Sequence, residues 1–556
     1  MKIILAQQNY HIGNFDDNVA KIVAAIQEAA VDGADLVVFS ELCVCGYPPR
    51  DFLEFEDFIT KCYQAIDTIK SYTQKVAVLV GAPCKNEIAE GKDLFNAAWF
   101  LHEGEVKHVV HKTLLPTYDV FDEYRYFEPA YSWNVIPFKG KKLAVTICED
   151  IWNLGDNPLY RVAPMDQMMA QQPDVMINLS ASPFDYNADE KRKEIIRANV
   201  LKYKLPMFYC NTVGSQTEIV FDGGSVIYDA NGNIAKQLPS FVEAMDGMNL
   251  EDLAPYNPSQ SSIQGETFSY TDLVFDQHID RVYDAIVMGV KDYFQKMGFK
   301  KAILGSSGGI DSAVTLAIAV EALGKENVRA ILMPSPYSTE HSVDDAVALS
   351  KNLDNPYDII RINNIYEAFL KELDPFFQGL PFNVAEENTQ SRIRGNLLMG
   401  LSNKFGYILL NTSNKSELST GYGTLYGDMA GGLSVLGDVY KMQVYALARY
   451  INREKEIIPV NIIDKAPSAE LRPNQKDSDS LPDYTVLDKI LFQYIERRQG
   501  PREIIEQGYD HALVTRTLKM VNTNEYKRNQ FCPIIRVSSK AFGVGRRVPI
   551  VGKYLG

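Results

Sequence analysis

The chain has 556 residues, 46% of them hydrophobic and 23% charged, with 36 glycines and 26 prolines scattered along it. Such a composition excludes disordered, collagenous and coiled-coil architectures, and the length predicts two large α/β domains. A formal charge of −15 disfavours nonspecific binding to nucleic acid or to an anionic membrane, since long-range repulsion opposes both.

Through residue 240, short β-branched runs alternate with amphipathic stretches. The runs predict strands at Ile3–Gln7, Leu36–Ser40, Val76–Val80, Ala97–Leu101, Val106–His111, Leu143–Cys148, Val175–Leu179, Met207–Asn211 and Ser225–Tyr228. Apolar residues at 19, 22, 23, 26 and 30 form one helix face. Many strands with fewer helices predict a layered, two-sheet α/β domain over 1–245. Residues 246–269, which include NLEDLAPYNPSQSSIQGET, lack periodicity and are predicted to link it to a second domain, 270–556. There a helix at Asp280–Phe294 leads to a strand Ala302–Leu304, a loop Gly305–Ile310 and a helix Asp311–Leu323. Strands at Ala330–Met333, Ile359–Ile362 and Tyr407–Asn411 continue the βα rhythm of a doubly wound parallel sheet.

No run of about 18 uncharged apolar residues occurs. The opening MKIILAQQNYHIG turns polar too soon for a secretory segment, so a cytoplasmic protein is expected. Seven cysteines, an odd number without CxxC spacing, argue against a disulfide framework or a structural metal site. From Arg516 to Gly556 there are nine Lys/Arg and one acidic residue, Glu525, which reads either as a solvated basic tail or as a clamp for phosphates.

Three polar residues follow apolar strand runs: Glu41 in LVVFSEL, Lys112 in VKHVVHK and Cys148 in KLAVTICED. Singly, each has a plain reading as a core cysteine or a solvated strand end. Together with FSELCVCGYP, HKTLLPTYDVFDEYRYFEP, ICEDIW and INLSASPF they resemble the nitrilase (carbon–nitrogen hydrolase) superfamily. That resemblance implies an αββα sandwich with Cys148 as nucleophile, Glu41 as general base and Lys112 as oxyanion partner. Glu123 matches an auxiliary carboxylate, and Tyr118 and Ser182 match positions holding the head of glutamine, although Ala188 stands where a basic residue is common. Glu149 and Asp150 are expected to raise the Cys148 pKa and Lys112 to offset them.

KAILGSSGGIDSAV reads as strand, Gly/Ser loop and helix N-terminus, an arrangement that attracts phosphate. It is no Walker A loop, because Ile310 and Asp311 follow Gly309. It does satisfy the GxSxG elbow of α/β-hydrolases, whose histidine would have to be His341 or His511. SGGIDS resembles the ATP pyrophosphatases, which have a Rossmann-like sheet of the adenine nucleotide alpha hydrolase type. EENTQSRIRG, ILLNTSNKSELSTGYGTLYGD and PSAELRPNQKDSDSLPDY resemble the NAD synthetases in particular. By this resemblance Gly305, Ser306, Ser307, Gly308, Gly309, Ile310, Asp311, Ser312 and Thr412 hold ATP. Asp311 and Glu417 ligate Mg²⁺, Lys441 adds positive charge, and Asn388, Arg392, Glu417 and Lys527 lie near deamido-NAD. The plain alternatives are an exposed helix face for Arg392 and Arg394 and a solvated tail for Lys527. The ammonia-only branch carries Gln-Ser-Asp-Glu where this chain reads Gln475-Lys476-Asp477-Ser478, so that carboxylate is absent or moved to Asp479.

The two resemblances imply one ligase reaction, in which ammonia freed from glutamine amidates deamido-NAD activated by ATP, with an enclosed passage between the sites and a homo-oligomer. Other amidotransferases with an SGGxDS loop use different acceptors, and a nucleotide sensor with a degenerate amidase is the nonenzymatic alternative.

Overall fold

The computed structural model describes residues 1–154, 158–259, 270–473, 475–479 and 481–555, without the side chain of Ser478. Contacts divide the chain into two units, Met1–Ser269 and Tyr270–Gly556.

In the first unit the β-branched runs form β1 (Lys2–Gln7), β2 (Leu36–Val38), β3 (Ala77–Lys85), β4 (Leu94–His102) and β5 (Glu105–His111). Helices α1 (Phe15–Val31) and α2 (Glu56–Lys70) lie between them in sequence. The chain continues through β6 (Ile136–Phe138), β7 (Lys141–Ile147), α3 (Pro164–Met168), β8 (Val175–Ser180), α4 (Ala188–Tyr203) and β9 (Met207–Asn211). It ends with a hairpin of β10 (Val213–Gln216) and β11 (Ile219–Asp222), then β12 (Val226–Tyr228), β13 (Ile234–Gln237) and β14 (Ala244–Asn249). Two six-stranded sheets result, β14-β1-β2-β3-β4-β5 and β13-β12-β9-β8-β7-β6.

Their facing sides share one core, in which Leu5, Val38 and Leu79 meet Val145, Ile177 and Phe208. On the outer sides, Ile22, Ile26 and Ile66 of the first two helices cover Val37 and Val78, and Met165, Ile196 and Val200 cover Met176 and Tyr209. Each such aliphatic side chain contributes about 1.5–3 kcal/mol by leaving water, and the arrangement is the expected αββα sandwich. The linker expected from 246 instead begins inside β14, which pairs antiparallel with β1 from Lys2↔Asn249 to Gln7↔Ala244. Residues 260–269 of that linker lie outside the described residues.

The second unit opens with α5 (Ile279–Met297), β15 (Ala302–Gly305), α6 (Ile310–Leu323), β16 (Val328–Leu332), α7 (Glu340–Leu353) and β17 (Tyr357–Ile359). It continues with α8 (Asn363–Phe377), α9 (Val384–Phe405), β18 (Ile408–Asn411), α10 (Lys415–Thr420), β19 (Leu433–Ser434) and α11 (Lys441–Ile451). The sheet is parallel, in the order β17-β16-β15-β18-β19. Strand order reverses between β15 and β18, which opens a crevice at their C-terminal ends. The strand expected at Ile359–Ile362 lies earlier: Ile362 is fully buried and precedes α8, so the apolar run straddles a strand end and a helix start.

The basic C-terminal stretch is only partly solvated, with Arg516, Lys519, Arg547 and Lys553 exposed. Arg528 is buried, donating to the carbonyls of Leu418 and Ser419 and pairing with Glu525, which also takes Arg546 at 2.7 Å. These arginines are consumed inside the fold.

Candidate active sites

In the first unit β2, β5 and β7 end beside one another. Glu41 lies in the turn after β2, Lys112 follows β5 directly, and Cys148 opens a single 3-10 turn, Cys148–Ile151, after β7. Glu41 and Lys112 thus come from one sheet and Cys148 from the other. The three are at most 5% exposed. Cys148 has φ +41°, a left-handed conformation that costs a β-carbon-bearing residue about 1–2 kcal/mol. It bends the chain abruptly at the thiol.

Lys112 Nζ donates to Glu41 Oε1 at 2.6 Å and to Glu123 Oε1 at 2.8 Å. Asn96 donates to Glu41 Oε1 at 2.7 Å, Tyr47 donates its hydroxyl to Glu123 at 2.7 Å, and the Ala181 N–H donates to Glu41 Oε2 at 3.0 Å. Burial disfavours the ammonium, but the Glu123 and Glu41 carboxylates outweigh it and hold Lys112 protonated. Burial and then the Glu41 charge push the Cys148 thiol well above its ordinary value, with Lys112 pulling the other way. Burial pushes Glu123 up to about 7 against Lys112. The cluster therefore holds a neutral thiol among ionisable partners, as attack assisted by a base requires.

Asp150 lies two residues beyond the thiol. Its Oδ1 accepts the N–H groups of Thr113 (3.0 Å) and Leu114 (2.9 Å), just after Lys112, and its Oδ2 accepts that of Ile147 (3.0 Å), just before Cys148. One carboxylate thus fastens the lysine strand end to the thiol turn. Glu149 accepts the hydroxyls of Tyr118 (3.0 Å) and Tyr160 (3.1 Å). Ser182 is buried, its N–H bound to Asn211 Oδ1 at 2.8 Å.

In the second unit the turn from β15 into α6 faces a cavity of 310 Å³ at the sheet's switch point. Gly305, Ser306, Ser307, Gly309, Ile310, Asp311, Ser312 and Thr412 line it. Gly308 has φ +76°, and a β-carbon there would stand 2.1 Å from the Ser342 carbonyl oxygen, so only glycine fits. Ser312 Oγ lies 3.2 Å from Ser307 Oγ and donates to the Gly309 carbonyl at 3.0 Å, which holds the loop in shape. Ser306 Oγ is buried with no protein partner among the described residues.

Asp311 and Glu417 enter from α6 and α10. Asp311 accepts Asn414 Nδ2 at 2.8 Å and Lys441 Nζ at 2.5 Å, and Glu417 lies 3.6 Å from the same ammonium. Burial, then the Asp311 charge, push Glu417 up to about 8, with Lys441 opposing. Two crowded carboxylates with hard oxygen donors beside a phosphate-type loop fit Mg²⁺, whose remaining ligands are ordinarily phosphate oxygens and water. Asp477 also lines the cavity and accepts the hydroxyls of Tyr422 and Tyr484. Asp479, the expected replacement for the missing carboxylate, instead accepts the Lys476 N–H at 3.1 Å and Arg472 at 3.4 Å.

A family model for carbon-nitrogen hydrolases matches residues 2–255 and one for NAD synthase matches residues 282–531. The glutamine-dependent NAD(+) synthetase of Synechocystis sp. is 44% identical over 99% of this chain and 98% of its own length. That of Thermotoga maritima is 39% identical over 100% and 99%. The chain belongs to the glutamine-dependent NAD(+) synthetase family. A solved structure of such a synthetase from Acinetobacter baumannii, in complex with adenosine diphosphate, superposes with a TM-score of 0.75 at 38% identity, covering 99% of this chain and 98% of that one.

Against this family background, the residues expected from the resemblance fall into three groups. Glu41, Lys112, Cys148 and Glu123 form one cluster, and the loop residues other than Gly308 line the cavity with Thr412 and Glu417. Asn388, Arg392 and Lys527 do not line it. Asn388 Oδ1 accepts the Thr424 hydroxyl at 2.8 Å, Arg392 donates to the Leu425 carbonyl at 3.2 Å, and Lys527 donates to the Gly421 and Gly423 carbonyls at 2.7 and 2.9 Å. All three brace the loop from 421 to 428, which contributes Tyr422, Gly427 and Asp428 to the cavity. Arg394, by contrast, is no exposed helix-face residue but part of the cavity wall. Sequence reasoning missed Asn96, Tyr47 and Asn414 and read Asp150 only as a charge near the thiol. The partners of Asn96 and Tyr47 are far along the chain, whereas Asn414 and Asp150 also bond three residues away, to Glu417 and Ile147, which marks a turn but not the longer contacts to Asp311 and to Thr113 and Leu114.

Proposed function

We propose that the protein makes NAD from deamido-NAD, ATP and glutamine, releasing AMP, pyrophosphate and glutamate. What supports the reading most is the presence, on one chain resembling synthetases end to end, of a buried Glu–Lys–Cys cluster and a phosphate-type loop facing paired carboxylates.

In the first unit Cys148 Sγ attacks the side-chain amide carbon of glutamine as Glu41 takes the thiol proton. The oxyanion is stabilised by the Lys112 ammonium and the Glu149 N–H, each worth roughly 3 kcal/mol when well placed. Glu41 returns the proton to the departing nitrogen, the C–N bond breaks, and ammonia leaves a thioester on Cys148. Glu41 then deprotonates a water that displaces the sulfur and frees glutamate. Tyr118 and Ser182 border this site and are assigned to the amino-acid head of glutamine.

In the second unit the backbone of Gly305–Ser312 and the N-terminus of α6 hold the phosphates, with Thr412 just past the end of the neighbouring strand β18. Asp311 and Glu417 would hold Mg²⁺, which supplies charge neutralisation for the triphosphate. A carboxylate oxygen of deamido-NAD attacks the α-phosphorus and pyrophosphate leaves. Neutral ammonia then adds to the acyl carbon, loses a proton and expels AMP. Asn388, Arg392, Glu417 and Lys527 are assigned to deamido-NAD, the basic groups among them acting through the loop they brace. Supplying ammonia from the same assembly raises its effective concentration, because little is unprotonated at neutral pH. With this reading go the cytoplasmic location and the homo-oligomer expected from the resemblance. Among the described residues no helix is long and apolar enough to cross a membrane.

The test is to supply MgATP, deamido-NAD and amide-labelled glutamine and follow products by mass spectrometry. Label is expected in NAD, with AMP formed mole for mole. AMP without NAD, or NAD without label, would reject the reading.

A further inference from the structure

Three cations line the cavity of the second unit. Lys441 is paired with Asp311 and Glu417, and Lys465 with Asp345. Arg394 has no such partner. Its Nε donates to the Met333 carbonyl at 3.0 Å, and its two Nη groups have no hydrogen bond or ion pair among the described residues. Burial pushes this guanidinium down to about 10, and the charges of Asp428 and Glu470 offset only part of that. A buried cation with no carboxylate in contact, and only partly offset by more distant ones, is a standing cost unless a bound anion completes it.

The cavity's two ends say which anion. Met333 and Leu398 form an apolar end, and a β-carbon on Gly305 would lie 3.3 and 3.5 Å from their side chains. A flat apolar base suits that surface. On the other side of β15, past the ends of β18 and β19, stand Glu417 and Lys441, the latter paired with Asp311 at the N-terminus of α6. Arg394 lies one helical turn from Leu398 on α9 and is tied to Met333, so it borders the apolar end and faces the loop. A nucleotide with its base on Met333 and its terminal phosphates at α6 brings the α-phosphate to Arg394.

We propose that Arg394 grips the α-phosphate of ATP through its planar fork, making it a catalytic residue of the adenylation half-reaction. This rests on the adenylation reading above. In that step a carboxylate oxygen bonds to the α-phosphorus, the bond to the bridging oxygen breaks, and its electron pair leaves with pyrophosphate. Negative charge on the two non-bridging α-oxygens is what a bidentate guanidinium holds best, and a lysine holds less well.

The test measures binding of adenosine, AMP and ATP to the full chain by calorimetry, for wild type, Arg394→Lys and Arg394→Met, with deamido-NAD-dependent pyrophosphate–ATP exchange as the rate readout. Arg394→Met is expected to weaken AMP about ten-fold or more while adenosine stays within about two-fold, since only AMP carries the phosphate. Arg394→Lys is expected to fall between, and exchange to drop about a hundred-fold in the Met variant. Equal weakening of adenosine and AMP would make Arg394 a wall of the base pocket and overturn the proposal. So would loss confined to ATP, which would move the contact to the outer phosphates, or unchanged binding in both variants. Wild type that binds none of the three would instead reject the adenylation reading itself.

Discussion

Cys148 keeps its proton because burial and the Glu41 charge outweigh Lys112. Deprotonation raises thiol reactivity, so the sign is fixed: alkylation of the Cys148 peptide by iodoacetamide, followed by mass spectrometry, should keep rising to and beyond the ordinary thiol value of 9.0. A plateau below pH 8 would show a resting thiolate and contradict the neutral-thiol mechanism. Asp150 invites a second experiment. Asp150→Ala strands three backbone N–H groups, at about 1–3 kcal/mol for each one left buried. It should lower kcat for glutamine hydrolysis about a hundred-fold while sparing ammonium-driven synthesis. Asp150→Asn should lose less, because its carbonyl oxygen still serves Thr113 and Leu114 while its amide faces the Ile147 N–H. Full glutaminase in the Ala variant would dismiss the fastening role. The sequence displays the groups proposed to react, each following an apolar run, but hides what holds them. Asn96 and Tyr47 meet Glu41 and Glu123 across 55 and 76 residues.

The loop between β15 and α6 is the element on which adenylation depends in the proposed function, and Gly308 sets its path. Gly308→Ala must accept φ +76° and a β-carbon 2.1 Å from a fixed carbonyl oxygen. The backbone cost alone is about 1–2 kcal/mol, and the overlap forces the loop away from α7. AMP formation from either nitrogen source should fall below detection while glutamine hydrolysis persists, both measured on one preparation. Retention of AMP formation would show that the loop does not hold ATP. Legibility varied by element. Strands rich in Val and Ile were visible, but β14, Ala-Met-Asp-Gly-Met-Asn, has no β-branched residue and becomes a strand only because the edge of β1 is there to pair with. On α9, Arg392 and Arg394 share a motif word, yet positions two apart on a helix point about 200° away from each other. One braces the 421–428 loop and the other enters the cavity, a separation that only the helix's placement against β15 and β18 reveals.

Across the whole molecule, each unit carries its own core and its own chemistry, and the family match covers nearly the full chain. The net charge of −15 leaves the binding of anions to local features such as the helix N-terminus at α6 and the buried lysines and arginines. The proposed function is therefore a division of labour, with nitrogen released in one unit and consumed in the other. Cys148→Ala tests it most directly, assayed for NAD synthesis with saturating glutamine and, separately, with saturating ammonium. Synthesis from glutamine should vanish, and synthesis from ammonium should stay within about two-fold of wild type, since no transition-state contact in the second unit has been removed. Loss of both activities, or of neither, would contradict it.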